Sequence, residues 1–282
     1  MNPWERAYPA PAKLNLFLHV VGRRPDGYHL LQTAFRLIDR CDWLRYTSRA
    51  DGSVTLARAV PGVDPATELS VRAARLLRDE AGAAHGVDID IEKNIPVGGG
   101  LGGGSSDAAT TLLALNRLWR LDASREDLSR LALRLGADVP FFLLGQNAFA
   151  EGIGERLTPI ELAAAWYVVL VPPIAVSTAA IFAASELTAN SKTITISSFS
   201  AGFGRNDLEP VVCRRHREVA EHLAWLKQFG DARLSGSGAC VFAEFGSERE
   251  ARKVLSGIPA GMRGFAVRGL ERHPLTELLD HG

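Results

Sequence analysis

The sequence predicts an α+β fold with antiparallel sheet, on three observations. Some segments alternate apolar and polar residues with the period of two of a half-exposed strand, as over 13–20 and 87–92. Others repeat apolar residues at helical spacing, as over 69–80, 107–119 and 125–135. The two kinds are mixed without the regular alternation and doubly buried strands of a parallel βαβ array.

Taken in order, residues 13–20 set Leu14, Leu16, Leu18 and Val20 on one face and Lys13, Asn15, Phe17 and His19 on the other. Lys13 and Asn15 therefore project together from the side opposite the aliphatic face. Residues 22–27 form a turn around Pro25 and Asp26, and a second strand follows over 33–38. The helix over 69–80 carries Leu69, Ala73, Leu76 and Leu77 on one stripe, with Arg72, Arg75 and Arg78 off it. After the strand at 87–92 comes a glycine-rich stretch, then a strong helix over 107–119 with Ala108, Thr111, Leu112 and Leu115 in register. The helix over 125–135 stops at Gly136, with Pro140 beyond it. In the second half, 166–171 read as a strand, 188–205 as a polar loop and 211–229 as a helix. The small-residue turn Ser235-Gly236-Ser237-Gly238 then feeds a strand over 239–245, and 248–256 is a last amphipathic helix.

The chain has 282 residues, enough for one large domain or two modest ones. Its 32 basic and 32 acidic residues balance, which argues against generic nucleic-acid or anionic-membrane binding. Cys41, Cys213 and Cys240 are odd in number and far apart, so they suggest no disulfide framework and fit a reducing, cytoplasmic setting. Glu5 and Arg6 precede any apolar run, unlike a secretory signal. The most apolar stretch, 163–176, contains Pro172 and Pro173 and is too short to span a bilayer. His216 and His222 lie six apart, on different faces of a helix, which disfavours a metal site.

Six of the seven residues from Gly98 to Gly104 are glycine. Such a loop lets backbone approach a ligand closely and aims consecutive N–H groups at a polyanion. The helix that follows adds the positive end of its dipole. Ser105 and Ser106 contribute hydroxyl donors, and Asp107 either holds Mg²⁺ or caps the helix. A flexible linker is the bland alternative, but linkers seldom join a short strand to a strong helix. No lysine precedes Ser105, so the common P-loop pattern is absent. The G-x-G-x-x-G at Gly98, Gly100 and Gly103 is a chance match, because the preceding strand carries acids and Pro96 intervenes.

The run Pro96-Val97-Gly98-Gly99-Gly100-Leu101-Gly102-Gly103-Gly104-Ser105-Ser106-Asp107 resembles the ATP loop of the galactokinase, homoserine kinase, mevalonate kinase and phosphomevalonate kinase (GHMP) superfamily. Pro11-Ala12-Lys13-Leu14-Asn15-Leu16 and Ser235-Gly236-Ser237-Gly238-Ala239-Cys240 resemble its first and third motifs. The resemblance implies a two-lobed fold: a ribosomal-protein-like N-terminal nucleotide lobe over 1–155, a C-terminal α+β lobe over 156–282, and a cleft between them. It implies ATP as co-substrate, with Mg²⁺, on a small-molecule acceptor, and a monomer or weak homodimer.

Four further segments, 13–18, Arg24-Pro25-Asp26-Gly27-Tyr28-His29, Leu135-Gly136-Ala137-Asp138-Val139-Pro140-Phe141 and Asn206-Asp207-Leu208-Glu209, are similar to one branch of the superfamily. Its members phosphorylate the tertiary hydroxyl of a cytidine diphosphate derivative of methylerythritol, on the way to isoprenoid precursors. By this resemblance Asp138 is the base, Lys13 its matching cation, and Asn15 a partner to Lys13 or the acceptor. Tyr28 and Phe182 would sandwich the cytosine, with His29 on its polar edge, Phe35 closing the pocket and Thr178 near the substrate. Lys93 and the 60–70 region would serve adenine. Glu68 stands where relatives often carry asparagine; a carboxylate accepts a hydrogen bond there but cannot donate one. The alternatives are a sister kinase for another alcohol, which has no need of Tyr28 and His29, and a non-catalytic nucleotide-binding protein, which needs neither Lys13 nor Asp138. A dinucleotide oxidoreductase is a third, tested by NAD(P)H binding.

Overall fold

The computed structural model describes residues 2–65, 67–187, 190–199 and 204–275. Two long antiparallel strands, β1 (Tyr8–Arg23) and β2 (His29–Arg49), pair along most of their length, joined by a turn that Arg24 N–H closes onto Tyr28 O at 2.7 Å. β3 (Val54–Leu56), α1 (Leu69–Ala81) and β4 (Gly86–Glu92) follow, then α2 (Gly103–Leu118), α3 (Arg125–Leu135) and α4 (Val139–Leu144). Next come the β5 (Ala148–Glu151) and β6 (Arg156–Pro159) hairpin, β7 (Trp166–Leu170) and α5 (Thr178–Phe182). α6 (Glu209–Arg215), α7 (Arg217–Leu226), β8 (Arg233–Leu234), β9 (Val241–Phe245), α8 (Glu248–Ser256) and β10 (Gly264–Leu270) complete the order.

The sheet runs β3-β4-β2-β10-β7-β9-β8, with β1 and β5 also on β2; β3 and β4 pair in parallel and the other pairs are antiparallel. β10 is the bridge: Gly269 and Leu270 pair with β2, while its earlier residues pair with β7. Three apolar clusters result. One lies under α1–α4, a second lies under α6–α8, and the third, with Leu14, Leu16, Tyr167 and Phe242, lies between the two halves.

Local chemistry accounts for the element ends. Ser124 and Asp127 form a capping box at the start of α3, and Gly82 closes α1 in the left-handed region at φ +64°. Three expectations need correction. The helix expected at 107–119 begins at Gly103, because the last loop glycines form its first turn. The helix expected at 211–229 breaks at His216, whose backbone is extended (φ −134°, ψ +95°), into α6 and α7. Pro140 does not end structure; it sits in the first turn of α4, where its missing N–H costs nothing. The β5–β6 hairpin spans residues 148–159, Leu18 and Val20 pack in the second half's core, and Leu275 packs in the first's. Of the loop expected over 188–205, residues 188–189 and 200–203 lie outside the described residues, and 196–198 form a short 3₁₀ turn.

Candidate active site

The glycine loop lies between β4 and α2, in a cleft of about 610 Å³. Gly98, Gly100 and Gly102 alternate in the left-handed region, at φ +68°, +74° and +74°. The carbonyls of the loop are tied down from behind. Gly98 O and Gly99 O accept from the N–H groups of Ala239 and Cys240 at 3.3 and 3.1 Å, Gly100 O from Ser235 Oγ at 3.1 Å, and Leu101 O from Lys13 N–H at 2.9 Å. With its acceptors committed to the turn before β9 and to β1, the loop is left to offer N–H groups to the cleft, beside the unpaired first amides of α2. A Cβ at Gly100 would lie 2.2 Å from Ser235 O, and one at Gly99 2.7 Å from Cys240 Sγ. Burial pushes the Cys240 thiol up to about 12, so it packs as a small apolar group beneath the loop.

Lys13 and Asp138 meet at the floor of the cleft. Lys13 Nζ lies 3.4 Å from Asp138 Oδ2, donates to Asn15 Oδ1, and sits 5.2 Å above the Phe35 ring. Both faces of β1 are buried here, so the polar face expected to be open is in fact the cleft wall. Asp138 is the residue ahead of α4, yet its side chain makes no capping bond, which leaves the carboxylate to Lys13 and the cleft. Asn15 Nδ2 donates to Thr33 Oγ1 at 2.9 Å, and Asn15 N–H to Ser235 Oγ at 3.3 Å.

At the other end, the rings of His29 and Phe182 approach to 5.4 Å at 33°. Tyr28 is 62 % exposed beside them, and burial followed by the nearby Arg23 charge lowers the His29 pKa. Thr178 Oγ1 shares a hydrogen bond of 2.6 Å with Ser237 Oγ on the lip of the cleft.

Residues 68–146 match the family model for the GHMP kinases N terminal domain, and residues 184–264 that for GHMP kinases C terminal. A 4-diphosphocytidyl-2-C-methyl-D-erythritol kinase of Thiobacillus denitrificans is 61% identical, over 97% of this chain and 99% of its own. One of Nitrosospira multiformis is 59% identical, over 98% and 95%. The chain belongs to the GHMP kinases, in the branch with these relatives. A crystal structure of 4-(cytidine 5'-diphospho)-2C-methyl-D-erythritol kinase matches at TM-score 0.82 and 35% identity, over 94% of this chain and 99% of that one. A mevalonate kinase shares the fold at TM-score 0.67 and 15% identity, over 95% and 100%.

Within this GHMP kinase, several expected contacts are disposed otherwise. Asp107 is fully buried, accepts from Lys93 Nζ at 2.6 Å and does not belong to the cleft lining. Ser106 is buried as well, whereas Ser105 lines the cleft. Lys93 lines it too, but its ammonium is held between Asp42 and Asp107. Burial pulls the Lys93 pKa down, but the two carboxylates outweigh it and the net shift is upward; burial raises that of Asp107. Glu68 spends its carboxylate as the cap of α1, accepting from Val71 N–H at 3.0 Å and Ser70 Oγ at 3.3 Å. Phe35 lies in the core against Phe141, with centroids 4.7 Å apart, and lines the cleft beneath Lys13. Tyr28 and His29 stand outside the lining of the main cleft, while Phe182 belongs to it. Asp42 and Thr33 were given no role from the sequence, and Ser235 was read only as part of a motif, since each works through a partner more than a dozen positions away.

Proposed function

We propose that the chain transfers the γ-phosphoryl group of ATP to the tertiary 2-hydroxyl of 4-diphosphocytidyl-2-C-methyl-D-erythritol. The observation that carries this is the Lys13–Asp138 pair, set in one cleft with the amide-rich glycine loop. Phosphoryl transfer asks for positioning, charge stabilisation and a proton acceptor, and the cleft offers all three. Asp138 takes the hydroxyl proton as the new P–O bond forms, the bond to the β-phosphate oxygen breaks, and ADP leaves. Lys13 pairs with the Asp138 carboxylate and offsets charge on the equatorial oxygens. The loop amides and the start of α2 hold the α- and β-phosphates. Ser105 and Asp138 are oxygen donors on the cleft wall, which suits Mg²⁺, an ion that binds through one or two protein oxygens and otherwise water and phosphate. When bound it supplies charge neutralisation at the transferring group. Tyr28 and Phe182 clasp the cytosine, with His29 beside them.

The first lobe then ends after β6 rather than at 155, with the second beginning at β7. The three free cysteines fit a cytoplasmic setting, and among the described residues no helix is long and apolar enough to cross a membrane.

Phosphorus NMR of the protein with Mg-ATP and the cytidylyl alcohol tests the reading. One new phosphomonoester signal should appear per ADP formed, with the cytidine diphosphate signals retained. Release of free phosphate without that signal would reject it.

A further inference from the structure

We propose that Thr33 is a positioning residue for phosphoryl transfer, fixing through Asn15 the direction in which Lys13 is held; the inference rests on the kinase reading above. It begins with a defect in the β1–β2 ladder. Asn15 pairs with Phe35 and Leu18 with Thr33, so Leu16 and Phe17 together oppose Ala34 alone. A bulge of this kind leaves backbone groups outside the ladder, and buried ones must find other partners. Both carbonyls find side chains: Leu16 O accepts from Arg233 Nη1 at 2.7 Å, and Phe17 O from the Thr33 hydroxyl.

That second bond sets a chain of directions. A hydroxyl has one proton, and a carbonyl can only accept, so Thr33 spends its proton on Phe17 O. Toward Asn15 the Thr33 oxygen can then only accept, which obliges the amide to turn its NH₂ to Thr33, at 2.9 Å. The amide oxygen consequently faces Lys13, whose ammonium has donors only. Lys13 is thereby drawn toward Asn15 on one side and Asp138 Oδ2, 3.4 Å away, on the other.

The surroundings leave little room for another arrangement. Lys13, Asn15 and Thr33 are all nearly fully buried, at 3 %, 3 % and 1 % exposure. A Cβ at Gly236 would lie 3.1 Å from Asn15 Oδ1 and 3.5 Å from Lys13 Nζ, so the turn before β9 crowds the same pair. Without the Thr33 hydroxyl, the buried amide loses the acceptor that distinguishes its two flips. In the reversed flip an N–H group would confront the ammonium. Thr33 also lines the cleft, so a direct contact with substrate is the competing explanation, and the test must separate the two.

The experiment measures kcat and both KM values for the full chain, with Mg-ATP and the cytidylyl alcohol, in Thr33→Val, Thr33→Ser, Asn15→Ala and the double variant Asn15→Ala/Thr33→Val. Thr33→Val should lower kcat at least tenfold with both KM values within twofold, and Thr33→Ser should stay within threefold of the parent. In the Asn15→Ala background, Thr33→Val should change kcat less than twofold, because its route to Lys13 is already cut. Thr33→Ala, which cannot overpack the site, takes the place of Thr33→Val if that variant does not fold. The proposal is overturned by a Thr33→Val kcat within twofold of the parent, by losses that multiply in the double variant, or by a loss confined to a KM. A parent protein that turns over no alcohol rejects the kinase reading and this inference together, whereas an active parent with an indifferent Thr33→Val rejects the inference alone.

Discussion

Asp138 stands ahead of α4 with its carboxylate free of capping duty and 35 % exposed, which is where a proton acceptor for an entering hydroxyl has to be. Asp138→Asn keeps the shape and removes the basicity. It should lower kcat by roughly two to four orders of magnitude, the usual contribution of general-base catalysis, with the Kd for ATP within about threefold by calorimetry. A variant of near-parental kcat would remove Asp138 from the base role. Tyr28 is exposed and contributes to no core cluster, so Tyr28→Ala should leave Tm unchanged. It should raise KM for the cytidylyl alcohol by the roughly 1–3 kcal/mol that stacking on a base is worth. At this scale the sequence was informative where chemistry is local. Lys13 and Asn15, two apart on a strand, had to share a face, and they do. It was silent where chemistry is distant: the partners of Lys93 lie 51 and 14 positions away, and no periodicity points to Asp42.

The glycine loop shows how elements hold the site. Four successive carbonyls, those of residues 98–101, are pinned by the turn before β9 and by β1. The loop therefore depends on the second half of the molecule as much as on the α2 helix it opens. Gly100→Ala places a methyl group 2.2 Å from Ser235 O, on a residue at φ +74°. Binding of a non-hydrolysable ATP analogue should weaken at least tenfold by calorimetry, with far-ultraviolet circular dichroism retained; unaltered affinity would separate the loop from the nucleotide. The loop and its following helix were legible because glycine spacing and helical periodicity are both local signals. The start of α2 was not, since glycine gives no sign of helix until the loop's anchors fix it. α4 was hidden because Pro140 reads as a stop unless the helix is known to begin one residue earlier. β8 and β10 went unread: β8 is two residues long, and β10 has a mixed burial pattern without clean alternation.

On the scale of the whole molecule, the halves are fastened where β10 meets β2 and where the chain beyond it returns to α4. His273 marks that return. It is fully buried, its N–H donates to Gly145 O at 2.8 Å, and its Nδ1 accepts from Leu275 N–H at 3.0 Å. Burial lowers its pKa to about 3, so the folded protein keeps it neutral where the unfolded chain, titrating near ~6.5, is protonated. Between these values the unfolded state binds the extra proton, so stability falls as pH falls, by about 1.4 kcal/mol per pH unit from this group. His273→Leu should therefore narrow the difference between Tm at pH 7.5 and at pH 5, whatever it does to Tm at pH 7.5. An undiminished difference would show that His273 is not the acid-sensitive fastening. The joining of the halves was the least legible feature at this scale, because β1 and β2 feed cores on both sides and the closing strand, β10, comes last.

The most direct test of the account is the rate of ADP formation with Mg-ATP and, in turn, 4-diphosphocytidyl-2-C-methyl-D-erythritol, homoserine, mevalonate and galactose. The cleft described here predicts kcat/KM for the cytidylyl alcohol at least a thousandfold above the other three. Comparable turnover of one of the others would keep the loop and the Lys13–Asp138 pair but contradict the reading of the acceptor pocket, and turnover of none would contradict the account as a whole.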